Sequence, residues 1–451
     1  MWFALTSLIP FILGAAAVEI DITDRQSIYA AQALIAKGLM DYYNGNDSGQ
    51  TPGMFTQPYY WWEAGAAWGS LLDYTYYTGN DTYADLVKTS LLYQIGKDWN
   101  YMPANQTSTE GNDDQGFWGL ATMAAAEFNF SNPEGGYPSW LYLTQAVFNT
   151  MAARWETGSC NGGLRWQIYT WNAGYSYKNS VSNGCMFNLA SRLARYTAND
   201  SYVDWAEKIW DWEVSVQFLN YTYGAQSLSV FDGADMNVNC TDVRQLEWTY
   251  NQGLFMSGAA YLYNYTEDQK WLTRVEHLWN RATILFHDGT VMYEAACQPS
   301  NRCNTDQRSF KGLFSRFLGR TMLMAPEMFD KIMPKIQSSA MAAAQSCSGG
   351  TDGHTCGLNW FYDGWDGVYG LGEQICGLEV MTALLIHDQG PPLTEKTGAS
   401  SKGDGAAGTN HSDDDSVSDP LTIEGKDRAG AGVLTAVVVI VLLAASWWLV
   451  I

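Results

Sequence analysis

Apolar residues recur at helical spacing over most of the chain. Trp271, Val275 and Trp279 are four residues apart, for example, which places all three on one face of a helix. Segments that strictly alternate apolar and polar residues, the pattern of a half-buried strand, are few. Short clusters of Gly, Asn and Asp separate the periodic segments and indicate turns and helix caps. The pattern predicts a mostly helical protein.

A repeated turn sequence indicates how the helices are organised. The sequence YTGNDTY at residues 77–83 returns as YTANDSY at residues 196–202, 119 positions further on, and residues 265–268 form a weaker copy. This offset fits two units of about 60 residues, each a pair of antiparallel helices. Roughly six such pairs fit between Asp24 and Asp388.

The segments between the helix pairs are long, aromatic and rich in Gly, at residues 54–63, 160–183, 229–252 and 359–373. Long loops in a compact domain usually carry function. Six helix hairpins closed into a ring would bring these loops together at one mouth. We therefore predict an all-α (α/α)6 barrel over residues 18–388, with a cleft at that mouth.

Both ends of the chain carry processing signals. Residues 1–17 form an apolar run that ends in small residues, typical of a secretory signal peptide, although no Lys or Arg precedes it. Residues 433–451 are apolar and uncharged, and no basic residue follows them. We predict that residues 431–451 are a GPI-attachment tail, removed when lipid is joined to Asp427 or Gly430. A retained membrane anchor is the alternative.

The composition changes after Asp388. Residues 389–430 are rich in Gly, Ser, Ala and Asp, and they begin with a Gly-Pro-Pro sequence at residues 390–392. Such a composition is typical of a flexible linker. We expect a stalk between the barrel and the tail.

Glycosylation and disulfide bonds are both expected in a secreted chain. The sequence contains nine Asn-x-Ser/Thr acceptor sites: Asn46, Asn80, Asn105, Asn129, Asn199, Asn220, Asn239, Asn264 and Asn410. Eight cysteines lie between the two processing signals, where an oxidising compartment favours disulfides. The nearest candidate pairs are Cys297–Cys303 and Cys347–Cys356, and the remaining connectivity stays open.

Charge and motifs exclude several classes of function. The formal net charge of −22 and the lack of a Lys/Arg patch argue against nucleic-acid binding. The five histidines are not spaced as metal ligands, and no phosphate-binding loop, nucleophile elbow or dinucleotide fingerprint stands in a credible context. We expect neither a catalytic metal nor a cofactor.

Two adjacent carboxylates, Asp113 and Asp114, are the strongest candidates for catalysis. Gly111 precedes them and an Ala-rich run follows to Glu127, which indicates the start of a helix. Neighbouring acids push their pKa values apart, so one can act as proton donor while the other stays ionised, as sugar hydrolysis requires. An N-terminal cap with an acid in the first turn would give the same pattern.

The rest of the expected cleft is aromatic and acidic. The chain has 20 Trp, and flat rings pack against the apolar faces of sugars, although many aromatic residues in any chain belong to the core. The candidate sugar-binding residues of these types are Trp61, Trp62, Trp118, Asp232, Tyr250, Asp363 and Trp365. Asp232 and Asp363 each precede a Gly, which would equally suit a turn.

Four sequence blocks resemble a known family. They are GGLRWQ at 162–167, YKNSVSNG at 177–184, EWTYNQG at 247–253 and GEQ at 372–374. Together they resemble the fungal, GPI-anchored members of glycoside hydrolase family 76. The resemblance implies an (α/α)6 fold and a retaining mechanism in which Asp113 is the nucleophile and Asp114 the acid/base. It also places Lys178, Asn179, Asn251 and Gln252 among the substrate-binding residues.

The resemblance further implies a role at the fungal cell surface. It predicts endo-acting hydrolysis or transglycosylation of α-1,6-mannosidic linkages in wall mannan or in the GPI-core glycan, with wall β-glucan as a possible acceptor. Both reactions share a glycosyl-enzyme intermediate, so the sequence leaves the choice open. A catalytically silent protein that binds wall glycans on the same scaffold is the alternative.

Overall fold

The structure, a computed structural model, describes residues 17–409, 432–433 and 435–442. Between residues 17 and 409 it contains twelve α-helices: α1 (Arg25–Met40), α2 (Trp61–Thr78), α3 (Ala84–Tyr93), α4 (Asn112–Glu127), α5 (Trp140–Ala153), α6 (Ser180–Thr197), α7 (Ser201–Ser215), α8 (Thr249–Thr266), α9 (Gln269–Ala282), α10 (Phe310–Met324), α11 (Phe329–Ser346) and α12 (Leu371–Thr382).

The even-numbered helices form a closed inner ring. Each packs against the next in the order α2, α4, α6, α8, α10 and α12, and α12 returns to pack against α2. The odd-numbered helices cover the ring from outside. This arrangement is the predicted (α/α)6 barrel, and the expected number of six helix pairs is confirmed.

Burial explains why the sequence pattern differs between the two layers. The inner helix α4 is buried on almost every side, and after its first turn residues 116–126 are correspondingly small or apolar all round. The outer helix α9 buries one stripe that contains Trp271, Val275 and Trp279, while its other face is polar. The spacing of these three residues therefore correctly predicted a helix with one buried face.

A small antiparallel sheet interrupts the helical pattern beside the mouth of the barrel. It contains β1 (Tyr177–Asn179), β2 (Leu219–Asn220), β3 (Ser229–Asp235) and β4 (Val243–Glu247), and a separate hairpin pairs β5 (Phe286–His287) with β6 (Val291–Met292). β3 lies in the middle and pairs with the other three strands of its sheet. A Cβ atom at Gly233 would collide with the carbonyl oxygen of Lys178, so this close approach of β1 and β3 requires glycine.

Residues 389–409 differ from the flexible stalk expected there. They run along the barrel, where the backbone N–H of Leu393 donates to the carbonyl of Glu127 over 2.9 Å. The side chain of Asn149 on α5 donates to the carbonyls of Gly405 and Ala407. The small side chains of residues 389–409 let their backbone approach α5 closely. The composition that suggested a flexible linker therefore suits a segment that packs against the barrel. The expectation is wrong for residues 389–409.

Several predicted features lie outside the described residues. These are the signal peptide up to residue 16, the rest of the stalk, the acceptor site Asn410 and the lipid-attachment candidates Asp427 and Gly430. Beyond residue 413 the structure describes residues 432–433 and 435–442, and these are helical. Within the described parts of the chain, no helix combines the length and apolarity needed to cross a membrane.

Three disulfides join loops of the barrel. Cys297–Cys303 and Cys347–Cys356 are the two predicted pairs, and both are confirmed. The third bond, Cys160–Cys240, ties the loop after α5 to the loop after β3. Cys185 and Cys376 are buried and free, so the expectation that all eight cysteines pair is wrong for these two.

Candidate active site

A cleft of about 790 Å³ opens at the mouth of the barrel. The N-terminal ends of five inner helices contribute to it, together with the loops that precede them and the small sheet. The sequence-predicted residues that line it are Trp61, Trp62, Asp113, Asp114, Asn179, Asp232 and Tyr250. Three of the four predicted loops, at residues 54–63, 160–183 and 229–252, therefore meet at this mouth, whereas no residue of the fourth, at 359–373, lines the cleft.

The carboxylate pair lies in the first turn of α4. The backbone N–H of Gly111 donates to Asp114 Oδ2 over 2.6 Å, which closes the turn. The N–H of Asn112 donates to the carbonyl of Trp166 over 2.8 Å and fixes the start of the helix against a neighbouring loop. A Cβ atom at Gly111 would collide with the carboxylate of Asp113, so glycine is required where the pair is held.

The environment of the pair raises both pKa values. Burial raises the pKa of Asp113, while backbone N–H groups and the Trp166 indole partly oppose this by stabilising the charged form. Burial raises the pKa of Asp114 well above its usual range, and the charge of Asp113 raises it further. Asp114 therefore holds its proton more tightly than Asp113, and Asp113 ionises first, the order that a retaining pair needs.

A second acid, Asp232 on β3, is held by two donors. Trp248 Nε1 donates to its Oδ1 over 2.8 Å, and the Tyr177 hydroxyl donates to its Oδ2 over 2.6 Å. Burial raises the pKa of Tyr177, and the charge of Asp232 raises it further, so the phenol remains a donor. Asp232 therefore lines the cleft, and its contact with a sugar stays a prediction.

Stacked rings form one side of the cleft. The rings of Tyr250 and Phe310 lie face to face with centroids 3.7 Å apart, and Phe117 stacks parallel to Tyr250 at 6.2 Å. Trp62 packs against Phe117 at 4.9 Å. Flat aromatic surfaces beside carboxylates suit a pyranose ring, which has apolar faces and a polar edge.

Trp118 and Lys178 do not reach the cleft, and their assignment as sugar-binding residues is wrong. Trp118 is fully buried, where its ring stacks between Trp61 and Tyr101. The Lys178 amine points into the protein and donates to the carbonyls of Ser159 and Gly162. Its role is therefore to hold that loop in place. The sequence block shows a charged residue at this position but not the direction in which its side chain points.

Asn251 and Gln252 are buried in α8 and also lie outside the cleft lining. Gln252 donates to the carbonyls of Leu228 and Leu278, so it ties α8 to the segment before β3 and to α9. Their neighbour Tyr250 does line the cleft, because adjacent helical residues point in different directions. The prediction is wrong for the two amides.

Asp363 and Trp365 belong to the loop before α12 but are not among the residues that line the cleft. The Trp365 ring packs over Gly349, at which no Cβ atom would fit, and lies 5.7 Å from the ring of Tyr369. The loop is organised by Asp366, whose carboxylate accepts backbone N–H bonds from Leu358 and Asn359. A direct sugar contact for Asp363 and Trp365 is therefore not supported.

Sequence reasoning missed several residues that do line the cleft. They are Gln167, Tyr177, Arg244, Trp248, Asp306 and Phe310. Trp248 and Tyr177 stand inside the sequence blocks that carried the family resemblance, so that signal could have found them. Asp306 stands in an ordinary polar loop segment after a disulfide, and no local pattern marks it. Across the described residues, no group of three His, Cys, Asp or Glu is arranged to hold a metal ion.

An adjacent pair of acids in an aromatic cleft, at the mouth of an (α/α)6 barrel, is the arrangement of a glycoside hydrolase. The family follows from the sequence. Residues 27–396 match the family model described as glycosyl hydrolase family 76, and the chain belongs to this family.

Curated relatives are similar over nearly their whole length. The chain is 55% identical to mannan endo-1,6-alpha-mannosidase DCW1 of Saccharomyces cerevisiae, over 96% of this chain and 95% of the relative. It is 51% identical to mannan endo-1,6-alpha-mannosidase DFG5 of Candida albicans, over 98% and 97% of the two chains.

Solved structures share the fold. Dfg5 from Chaetomium thermophilum, crystallised in complex with glucosamine, superposes with a TM-score of 0.82 at 40% identity and covers 86% of this chain and 97% of its own. An inactive variant of the α-1,6-mannanase GH76A of Salegentibacter sp. HEL1_6, in complex with α-1,6-mannotriose, gives a TM-score of 0.64 at 18% identity, covering 80% and 99%. The second likeness concerns the fold alone.

Proposed function

We propose that the protein cleaves α-1,6-mannosidic linkages within glycan chains by a retaining mechanism. The observation that carries this proposal is the Asp113–Asp114 pair in the first turn of α4, exposed to the cleft with its proton favoured on Asp114. The names of the relatives, mannan endo-1,6-alpha-mannosidases, support the linkage and the internal position of cleavage. They do not favour the alternative of a silent glycan-binding protein.

In the first step, a carboxylate oxygen of Asp113 attacks the anomeric carbon. The bond from that carbon to the glycosidic oxygen breaks, and the proton of Asp114 passes to the departing oxygen. The product is a mannosyl ester on Asp113, with Asp114 now ionised. The positive end of the α4 dipole stabilises negative charge on either residue during this exchange.

In the second step, Asp114 accepts a proton from an incoming hydroxyl group. The oxygen of that group attacks the anomeric carbon and releases the Asp113 carboxylate. Water as the incoming group gives hydrolysis, and a sugar hydroxyl gives transglycosylation. We propose both outcomes for this cleft, with wall β-glucan as a sugar acceptor.

The charge of the cleft supports a neutral or amine-bearing glycan. Its described lining contains five acids and one cation: Asp113, Asp114, Asp232, Asp235, Asp306 and Arg244. A negative cleft favours neutral glycans and those that carry an ammonium group. We propose wall mannan and the GPI-core glycan, which contains glucosamine, as the substrates.

We propose that the protein acts at the outer face of the plasma membrane or in the cell wall. The signal-like N-terminal residues, the acceptor asparagines and the GPI-type tail support this location. The eight acceptor sites within residues 17–409 are at least partly exposed, as glycan attachment requires. Release of the protein from intact cells by a phosphatidylinositol-specific phospholipase tests the lipid anchor.

Product analysis tests the proposed reaction. The secreted domain is incubated with α-1,6-mannotetraose, and the anomeric proton of the fresh reducing end is followed by NMR before mutarotation. We expect internal cleavage and an α-configured first product. A β-configured first product would exclude the retaining mechanism, and tight binding of the mannotetraose without turnover would favour a silent binding protein.

A further inference from the structure

Asp306 is an acid of the cleft that takes no part in the two chemical steps described above. Asp306 begins a short 3-10 turn (Asp306–Arg308) just before α10 and lines the cleft. Its side chain is half-buried, and burial raises its pKa. No ion pair to Asp306 occurs within the described residues. Burying a carboxylate without a cation costs folding free energy, so its position calls for another explanation.

A hydrogen bond fixes the orientation of the Asp306 carboxylate. Trp62 Nε1 donates to its Oδ1 over 3.0 Å, and Trp62 itself is buried. The other oxygen, Oδ2, has no hydrogen-bond partner in the part of the chain that the structure describes. One oxygen is therefore fixed by the protein and the other is free to accept a bond in the cleft.

The turn that carries Asp306 is held from three sides. Asn304 and Gln307 bond each other reciprocally, each backbone N–H donating to the other's side-chain oxygen over 2.9 Å. The Cys297–Cys303 disulfide closes the loop just before this turn. Arg308 lies 3.4 Å from the carboxylate of Glu373 on α12. Such constraints keep a binding group in position before substrate arrives.

Asp306 and Asp232 are connected through a run of three aromatic rings. The Phe310 ring lies 6.2 Å from Trp62, which holds Asp306, at an interplanar angle of 53°, and 5.7 Å from Trp248, which holds Asp232, at 84°. Each acid thus accepts a hydrogen bond from the indole N–H of a cleft tryptophan that packs against Phe310. A pyranose in this cleft would meet aromatic side chains and, beside them, two carboxylates that can accept hydrogen bonds from its hydroxyl groups.

We propose that Asp306 is a substrate-binding residue that accepts a hydrogen bond from a sugar hydroxyl in the cleft through its free Oδ2. This inference rests on the proposed function in taking an α-mannoside as the ligand. Asp306 binds and does not transfer a proton, so its loss weakens substrate binding more than it slows the chemical step.

The charge of Asp306 gives a second, independent readout. It raises the pKa values of Asp113 and Asp114, after burial and the closer influences on each group. The other titratable groups that face the pair are Glu110 before α4, Cys185 on α6 and Tyr250 on α8. All of these remain in an Asp306→Asn variant. Removing one negative charge then moves the alkaline limb of kcat to lower pH, because Asp114 loses its proton more easily.

The experiment compares wild type with Asp306→Asn on α-1,6-mannotetraose. A hydrogen bond to a charged group predicts a KM increase of roughly 10- to 100-fold, with kcat at its optimum within a few-fold of wild type. Trp62→Phe keeps the ring, frees the carboxylate to rotate, and should raise KM by a smaller factor. Asp330→Asn, an exposed acid on α11, is the matched control and should change neither KM nor the pH profile.

The outcome separates this inference from the proposed function. Turnover of α-1,6-mannotetraose by the wild type tests the proposed function. The ratio of the variant's KM to the KM of the wild type tests the binding role of Asp306. Calorimetric binding of α-1,6-mannotriose to Asp113→Asn, with and without Asp306→Asn, gives the same comparison without turnover. Unchanged affinity, KM and alkaline limb in Asp306→Asn would overturn the proposal, as would absence of mannotriose binding in both proteins.

Discussion

The indole N–H of Trp166 donates a hydrogen bond to Asp113 Oδ2 over 3.0 Å. The backbone of Trp166 is fixed on both sides, since its carbonyl accepts from Asn112 and its N–H donates to the carbonyl of Tyr177 over 2.7 Å. The residue therefore connects the start of α4 to β1 and aims one oxygen of the proposed nucleophile. This bond favours the ionised form of Asp113, against the burial that opposes it.

Removing that bond should impair catalysis with little effect on the fold. Trp166→Phe keeps a ring in place but leaves Asp113 without its indole donor. The pKa of Asp113 should then rise, so the acid limb of kcat/KM moves to higher pH and kcat falls by roughly 10-fold. Trp171→Phe is the control, because its indole donates to the carbonyl of Thr107 outside the cleft. Equal pH profiles for the two variants would contradict the role given to Trp166.

The two aspartates should respond differently to neutral substitution. Asp113→Asn removes the nucleophile and should lower kcat on the order of 10⁴-fold or more on every substrate. Asp114→Asn should lower it by roughly 10²–10⁴-fold on mannans but much less on aryl mannosides, whose leaving groups need no proton. Circular dichroism checks that both proteins fold. A loss of the same size for both variants on both substrates would argue against separate roles.

The fold was readable from sequence where burial dictates pattern. The stripe of Trp271, Val275 and Trp279 and the repeated turn at residues 77–83 both follow from helices packed in two layers. The small sheet was not readable, because β1 spans three residues and β4 is mostly exposed, which leaves no alternation. The docked segment 389–409 was missed because its contacts come from backbone groups, which composition does not reveal.

The site was readable only in part for a related reason. Asp113 and Asp114 stand out because their helix-start context and their adjacency are local. The direction of a side chain is not local. Lys178 turns inward to the carbonyls of a distant loop, and Asp306 enters the cleft because its turn is held by contacts from elsewhere in the chain. The directions of these two side chains follow from contacts between distant segments, which the sequence does not show.

Stability should fall as the pH rises from about 5 to 8. Burial raises the pKa of Glu213 and of Glu294 to about 8, and that of Glu373 to about 7. The folded state therefore holds protons that the unfolded state has already lost. The stabilisation is complete below the unfolded pKa and is lost as the pH rises through these folded values.

Thermal unfolding measured between pH 5 and 8 checks this sign. Each such carboxyl contributes up to about 1.4 kcal/mol per pH unit to the slope. Glu213→Gln, which replaces a buried acid by a neutral isostere, should flatten the decline. A melting temperature that is constant or rises over this range would show that the buried acids are not protonated in the folded state.

The segment 389–409 should contribute to stability. A secreted chain of residues 18–388 loses the hydrogen bonds to Glu127 and Asn149 and exposes the surface that buries Ala407. At about 1 kcal/mol for each hydrogen bond, its free energy of unfolding should fall by roughly 2–5 kcal/mol. A chain of residues 18–409 is the matched control. Equal denaturant midpoints for the two chains would show that docking adds nothing.

The covalent intermediate is the most direct test of the central claim, that Asp113 attacks the sugar while Asp114 carries the proton. The enzyme is treated with an activated, fluorinated α-1,6-mannobiosyl donor, which forms the glycosyl-enzyme and releases it slowly. Mass spectrometry of the intact protein and of its peptides then locates the label. The account predicts one mannobiosyl group in ester linkage to Asp113, absent in Asp113→Asn and formed normally in Asp330→Asn. A label on any other residue, or turnover without a trapped ester, would contradict it.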